Sequence, residues 1–360
     1  MFDLGKNKKN RTPSTRLKTR ENLTLSDYIT AVKWSPEGLL AASSACGELI
    51  LWHQKERVFV LQSETGKSID CLSFSRDGQY LAAGGQDGVV KIWHLPTQTL
   101  TPLDPTSAWV DQLAWSSTTN QLAFSRGRTV QIWDAETRRE VTQLNFHDSS
   151  VLCLAWHPVV DTLAVGGYQG VKIWQGSNWE DDPHVLQIPS ASQAVAWSPD
   201  GKYIACGNLD RTLAVVEWGN PHPWVMRGFP GKVRCLAWSD SPTVLGASLL
   251  AVASAEGVVI WEKQIQEEAG WEGWVLEGHR ENVTGIEFQP GTFLLASGSE
   301  EGTVCLWHSA EKMIQTLEDG VDGFSCLSWH PQGEFLAAGG QRGELRIWSK
   351  STSGRGFARK

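Results

Sequence analysis

Tryptophan recurs along this chain at intervals near forty residues, at Trp52, Trp93, Trp133, Trp174, Trp218, Trp261, Trp307 and Trp348. The successive gaps are 41, 40, 41, 44, 43, 46 and 41 residues. Each of these tryptophans ends an apolar stretch such as Val89-Val90-Lys91-Ile92-Trp93. Each also lies downstream of a second aromatic landmark: Trp34, Phe74, Trp115, Trp156, Trp197, Trp238, Phe288 and Trp329. A period of this size reads as one four-stranded unit repeated around an axis. Repeat chains of this kind usually bind other proteins and carry no chemistry of their own.

The second repeat shows the unit most plainly. Ile69 to Phe74 alternates as a half-buried strand should, Ser75-Arg76-Asp77-Gly78 is a turn, and Tyr80 to Gly85 is a second strand. Gln86-Asp87-Gly88 turns again, Val89 to Trp93 is the third strand, and the looser segment Leu95 to Leu103 is the outer fourth. Ser35-Pro36-Glu37-Gly38, Ser198-Pro199-Asp200-Gly201 and His330-Pro331-Gln332-Gly333 are matching first turns. Small residues crowd the second strands, as in Ala337-Ala338-Gly339-Gly340, which suits sheets converging on an axis.

On these residues the chain resembles the WD-repeat family from about Leu17 to Trp348. The resemblance implies an all-β propeller of four-stranded antiparallel blades around a central channel. Eight units imply eight blades, seven being the commoner family count. Closure by an N-terminal strand is also implied, and Leu17 to Leu25 alternates weakly enough to be that strand. The expected organisation is a basic flexible tail over residues 1–16, a propeller over 17–349 and a basic tail over 350–360. Several repeats depart from the family pattern. Only Trp133-Asp134 is a literal Trp-Asp pair. The family's buried network of His, Ser or Thr, Asp and Trp is incomplete everywhere. The seventh repeat has His279 and Trp307 but Glu301 in place of Asp, and the fourth has His147 and Trp174 but Gln169. These blades are expected to rest on tryptophan packing rather than on that network. In the fifth repeat Val216, not Trp218, falls at the usual position, which predicts a bulge.

Composition narrows the function. No apolar run reaches the ~18 residues of a membrane helix, and the N-terminus shows no apolar signal-peptide core, so the expected location is cytoplasmic. Seven cysteines include no Cys-x-x-Cys pair. Cys71, Cys153, Cys235 and Cys326 share one repeat column, which reads as small packing residues between sheets and not as metal ligands. Thr65-Gly66-Lys67-Ser68 mimics the end of a phosphate-binding loop but has Leu61 where the motif needs glycine. The nine histidines are scattered and read as turn or rim residues. No cofactor, metal or catalytic residue is expected.

By position, the loops entering the first strands and the turns between second and third strands form the face that family propellers commonly use. There the candidate partner-binding residues are Tyr28, Asp70, Trp109, Asp111, Arg126, Arg128, Tyr168, Arg234 and Arg342. Aromatic and arginine side chains dominate binding hot spots, which singles out Trp109, Arg126 and Arg128. Trp179, Trp224, Trp271 and Trp274 fall near outer strands and read as covers for blade edges, since indole prefers half-buried sites.

Residues 1–20 hold seven Lys or Arg against one Asp, and residues 350–360 hold four with no acid. The whole chain is −8, which leaves −18 for residues 21–349. An acidic disc with basic tails lacks the broad basic surface of a nucleic-acid binder. The leading reading is a non-catalytic scaffold or adaptor, a monomeric propeller within a complex, binding one or more proteins and no small-molecule substrate. The alternative is tethering to RNA, DNA or anionic membrane through the tails. A propeller hydrolase or lyase is the remote third.

Overall fold

The computed structural model describes residues 16–54, 58–147, 149–220, 222–318 and 320–350. Eight four-stranded antiparallel sheets follow one another in chain order. Their innermost strands are Ile29–Trp34, Ile69–Phe74, Leu113–Trp115, Cys153–Trp156, Ser192–Trp197, Val233–Pro242, Val283–Phe288 and Phe324–Trp329, which define blades 1 to 8. Strands succeed one another outward in each blade. The exception is blade 8, whose outer strand is Leu17–Thr24, paired with Glu344–Lys350 from Leu17↔Lys350 to Thr24↔Glu344. The chain is therefore an eight-bladed β-propeller closed by an N-terminal strand. The expectations for the tails fall almost entirely outside the described residues.

Second strands are the most buried. Every residue of Leu40–Ser44 and of Phe335–Gly340 is shielded from solvent. Small side chains are required there because neighbouring sheets nearly touch. A Cβ added at Gly84 would collide with Val110 of the next blade, and one at Gly339 with Ile29.

The first aromatic column joins the blades. The indole N–H of Trp34 donates to the Ser328 carbonyl, Trp115 to Ser73, Trp156 to Ala114, Trp197 to Ala155, Trp238 to Ala196 and Trp329 to Glu287, at 2.9–3.3 Å. Each bond crosses one seam, and phenylalanine at Phe74 and Phe288 supplies no such donor. The two aromatic columns thus do different work: the strand-ending tryptophans mostly fill blade interiors, and the earlier ones tie blade to blade.

Two expectations are corrected. Blade 5 has no bulge where one was predicted: Ile204 pairs with Val216 in unbroken register, and Trp218 lies beyond the strand, edge-on to Trp197 at 5.3 Å. Valine simply occupies the site that tryptophan fills elsewhere. The buried network of blade 7 is complete, with Glu301 replacing Asp. Trp307 donates to Ser297 Oγ at 2.9 Å, Ser297 meets His279 Nε2 at 2.7 Å, and His279 Nδ1 meets Glu301 at 2.9 Å. The longer carboxylate also accepts from Thr303 and from the Arg280 N–H.

The four edge tryptophans behave as covers. Trp271 is buried, Trp179 packs edge-on against Trp156 at 5.9 Å, Trp224 lies under Lys263, and Trp274 donates to the Ala310 carbonyl of blade 7 at 2.8 Å.

Candidate functional site

Six innermost strands carry a β-bulge near their start, at Ile29/Ala31, Ile69/Cys71, Ser192/Ala194, Val233/Cys235, Val283/Gly285 and Phe324/Cys326. A bulge inserts one residue and re-aims its side chain. The inserted residues are Thr30, Asp70, Gln193, Arg234, Thr284 and Ser325, all at the channel mouth. Four of them donate across a seam to a carbonyl of the next blade: Thr30 to Ile69, Gln193 to Val233, Thr284 to Phe324 and Ser325 to Ile29.

Asp70 and Arg234 break that pattern, and the cysteine that follows each one replaces the seam bond. Cys71 Sγ reaches the Val110 carbonyl at 3.2 Å and Cys235 Sγ reaches that of Thr284 at 3.5 Å. Burial raises the Cys71 thiol pKa and pushes that of Cys235 up to about 11, so both remain protonated donors. The cysteine column is packing, as its small size indicated, with a bonding role that its spacing did not show. The consequence is that Asp70 and Arg234 are released from holding the ring together.

The predicted residues fall into five places. Tyr28 and Arg234 share a cavity of about 680 Å³ at the channel mouth, lined also by Arg211, Lys232, Asn282 and Glu300. Tyr28 is 37% exposed, its hydroxyl reaches Ser325 of blade 8, and burial raises its pKa. Asp70 and Asp111 are neighbours across the seam of blades 2 and 3. Asp111 is held above the usual carboxylate range by burial first and by the Asp70 charge second. Asp70 accepts from Ser68 Oγ.

Trp109, Arg126 and Arg128 form the third group. Trp109 is 56% exposed, and Ala108 lies against Gly127, which sets the indole beside the Arg126-Gly127-Arg128 turn. Arg128 is exposed, but Arg126 folds back. Its guanidinium donates to the Asp104 carbonyl at 3.0 Å and lies 5.2 Å from the Phe124 ring. Arg126 therefore braces the turn while Trp109 and Arg128 present it. Tyr168, 54% exposed, stands apart over a blade 4 cavity of about 450 Å³ with Phe146 and Pro189, and Arg342 pairs with Asp322 in blade 8.

Arg211 escaped the sequence reading. Its backbone sits at φ 65°, a left-handed conformation that few non-glycine residues adopt. The turn Asp210-Arg211-Thr212, held by Thr212 Oγ1 donating to Asp210 at 2.6 Å, was its only trace in sequence. Glu287 was also missed. It lines the channel, accepts the Trp329 N–H at 3.0 Å, and burial pushes its pKa up to about 7. Among the described residues no three His, Cys, Asp or Glu side chains lie close enough to hold a metal ion.

A family model described as "WD domain, G-beta repeat" matches residues 55–94, 138–175, 186–216, 270–308 and 311–349, together just over half of the chain. The chain belongs to the WD-repeat family. The stretches between these matches carry the same four-stranded build. This WD-repeat propeller is 27% identical over 169 residues to the anaphase-promoting complex subunit cdc20 of Dictyostelium discoideum, covering 44% of this chain and 32% of that one. It is 25% identical over 181 residues to protein HIR1 of Yarrowia lipolytica, covering 41% and 16%. It is 20% identical over 335 residues to periodic tryptophan protein 2 of Arabidopsis thaliana, covering 92% and 27%. The propeller thus spans a third or less of the length of these three relatives.

Proposed function

We propose that this propeller is a non-catalytic scaffold or adaptor that holds one or more proteins on its channel-mouth face and positions them within a multiprotein complex. The observation that carries this reading is the exposure of recognition side chains in the loops of that face: Tyr28 and Arg234 in one cavity, and Trp109 with Arg128 at the blade 3 turn. Contiguous exposed aromatic and arginine side chains mark protein contacts. A closed ring offers these loops pre-formed, so little ordering entropy is lost on binding. Membership of a family that includes a named complex subunit supports the same reading. In this proposal residues 17–349 are the interaction domain, the basic tails flank it, the propeller is monomeric, and it works in the cytoplasm.

The test is affinity capture from native lysate with the intact chain and with a Tyr28/Trp109/Arg128→Ala form, read by mass spectrometry. Proteins held by the intact chain should be lost from the triple variant, since truncating a hot spot costs about 2 kcal/mol or more. Equal recovery by both forms would sink the proposal.

A further inference from the structure

We propose that the channel mouth takes an extended protein segment of mixed charge, its acidic stretch seated on Arg211, Lys232 and Arg234 and a basic residue on Asp70 and Asp111. The inference rests on the scaffold reading and names the chemistry of the segment that the face would accept.

Its basis is a separation of charge across the mouth. Arg211, Lys232 and Arg234 line one side of a single cavity, all three are exposed, and among the described residues none forms an ion pair. The acid that lines the same cavity, Glu300, already accepts from Asn282 Nδ2 at 2.8 Å, and Asp210, next to Arg211 in the chain, accepts from Thr212 Oγ1 at 2.6 Å. Across the ring, blades 2 and 3 present Asp70 and Asp111 side by side, and the Asp111 pKa is raised by burial first and by the Asp70 charge second. Two features show that the basic side is built. Arg211 is held in a strained backbone conformation, and Arg234 is freed by the Cys235 seam bond. On a disc that is otherwise strongly acidic, three unpaired cations in one place attract an anionic group, and the opposite carboxylates repel the rest of a polyanion. A uniformly charged ligand such as RNA fits only half of this mouth. A peptide with acidic and basic residues in the right order fits both halves, and their order sets its direction.

Random 12-residue peptides displayed on phage would be selected on the full chain at 0.15 M salt, and the recovered sequences made synthetically. The expected peptides carry clustered Asp or Glu on one side and Lys or Arg on the other, in a constant order. Their Kd should rise at least tenfold for the Arg211/Lys232/Arg234→Glu form and for the reversed peptide, and measurably for Arg234→Gln alone. All three sites are exposed, and an unchanged tryptophan-fluorescence melting curve confirms folding. Peptides that respond to Trp109→Ala or Arg128→Ala but not to the charge reversal would overturn this inference and leave the scaffold face standing. Peptides indifferent to every substitution on the face would overturn both. Recovery of no peptide above background, or displacement of the selected peptide by a mixed-sequence 12-nucleotide RNA, would also overturn it.

Discussion

Replacing Glu287 by glutamine should stabilise the propeller, and only above the ordinary carboxylate pKa. Glu287 projects from the innermost strand of blade 7 into the channel wall, where burial pushes its pKa from 4.5 up to about 7. A folded pKa above the unfolded one means that the neutral acid is the favoured form in the fold. The stabilising contribution is then complete below pH 4.5 and is lost progressively as the pH rises through 7. At about 1.4 kcal/mol per pH unit the full loss is about 3 kcal/mol. Screening by water in the channel reduces the working expectation to about 2 kcal/mol. Glutamine keeps an acceptor for the Trp329 N–H and never ionises. In a ring of this size about 2 kcal/mol corresponds to a rise in Tm of about 3 °C. Thermal unfolding followed by tryptophan fluorescence should therefore show Glu287→Gln melting about 3 °C above the wild type at pH 8 and level with it at pH 4.5. A gain of equal size at both pH values would refute the argument, because a packing improvement has no reason to follow the titration.

Three further outcomes follow from the seams and from blade 7. Trp156→Phe removes the bond to the Ala114 carbonyl but keeps an aromatic side chain in a column that already accepts phenylalanine at Phe74 and Phe288, so it should cost about 1–2 kcal/mol in urea unfolding. Ser297→Ala strands the Trp307 N–H and one His279 nitrogen together, and should cost about 3 kcal/mol by the same measurement. His279 is held below its ordinary pKa by burial, so its contribution is complete above pH 6.5 and is lost as the pH falls through its depressed value. Amide exchange along Leu295–Ser299 should accordingly lose protection as the pH falls below 6.5, while blade 6, whose strands contain no histidine, changes less.

Strands were legible where burial alternates and turn chemistry is strong. Ile69–Phe74 and Tyr80–Gly85 fold over the very residues that the pattern marks, and the weak alternation after Leu17 was enough to place the closing strand. Features that depend on pairing were not legible. The bulges that turn Asp70 and Arg234 toward the mouth arise from two residues opposing one across a ladder, and no local signal separates them from a regular strand. Glu301 looked like a broken network because a motif counts residue types, whereas the site asks only that a carboxylate reach His279. Val216 looked like a register error because tryptophan spacing, not strand pairing, was being read. Among the site residues, position in the repeat placed Tyr28, Trp109 and Arg128 on one face. That Arg126 folds back onto Asp104 depends on a loop from the preceding blade, which the repeat pattern does not describe.

The closing strand also governs when this protein can exist. Leu17–Thr24 is made before every other strand of the ring, and its partner Glu344–Lys350 lies about 330 residues later. At ~5–20 residues per second, the early strand waits roughly 15–60 s for that partner. During that time blades 1 to 7 can form in order, each from contiguous chain, while the exposed edge of blade 1 waits for blade 8. Joining the ends carries a loop-closure cost of about 5 kcal/mol, set by the logarithm of the intervening length. Ring closure is therefore a single late event that cannot precede synthesis of Glu344–Lys350, and any binding surface spanning blades 1 and 8, including the cavity shared by Tyr28 and Ser325, is incomplete in every chain that lacks that strand.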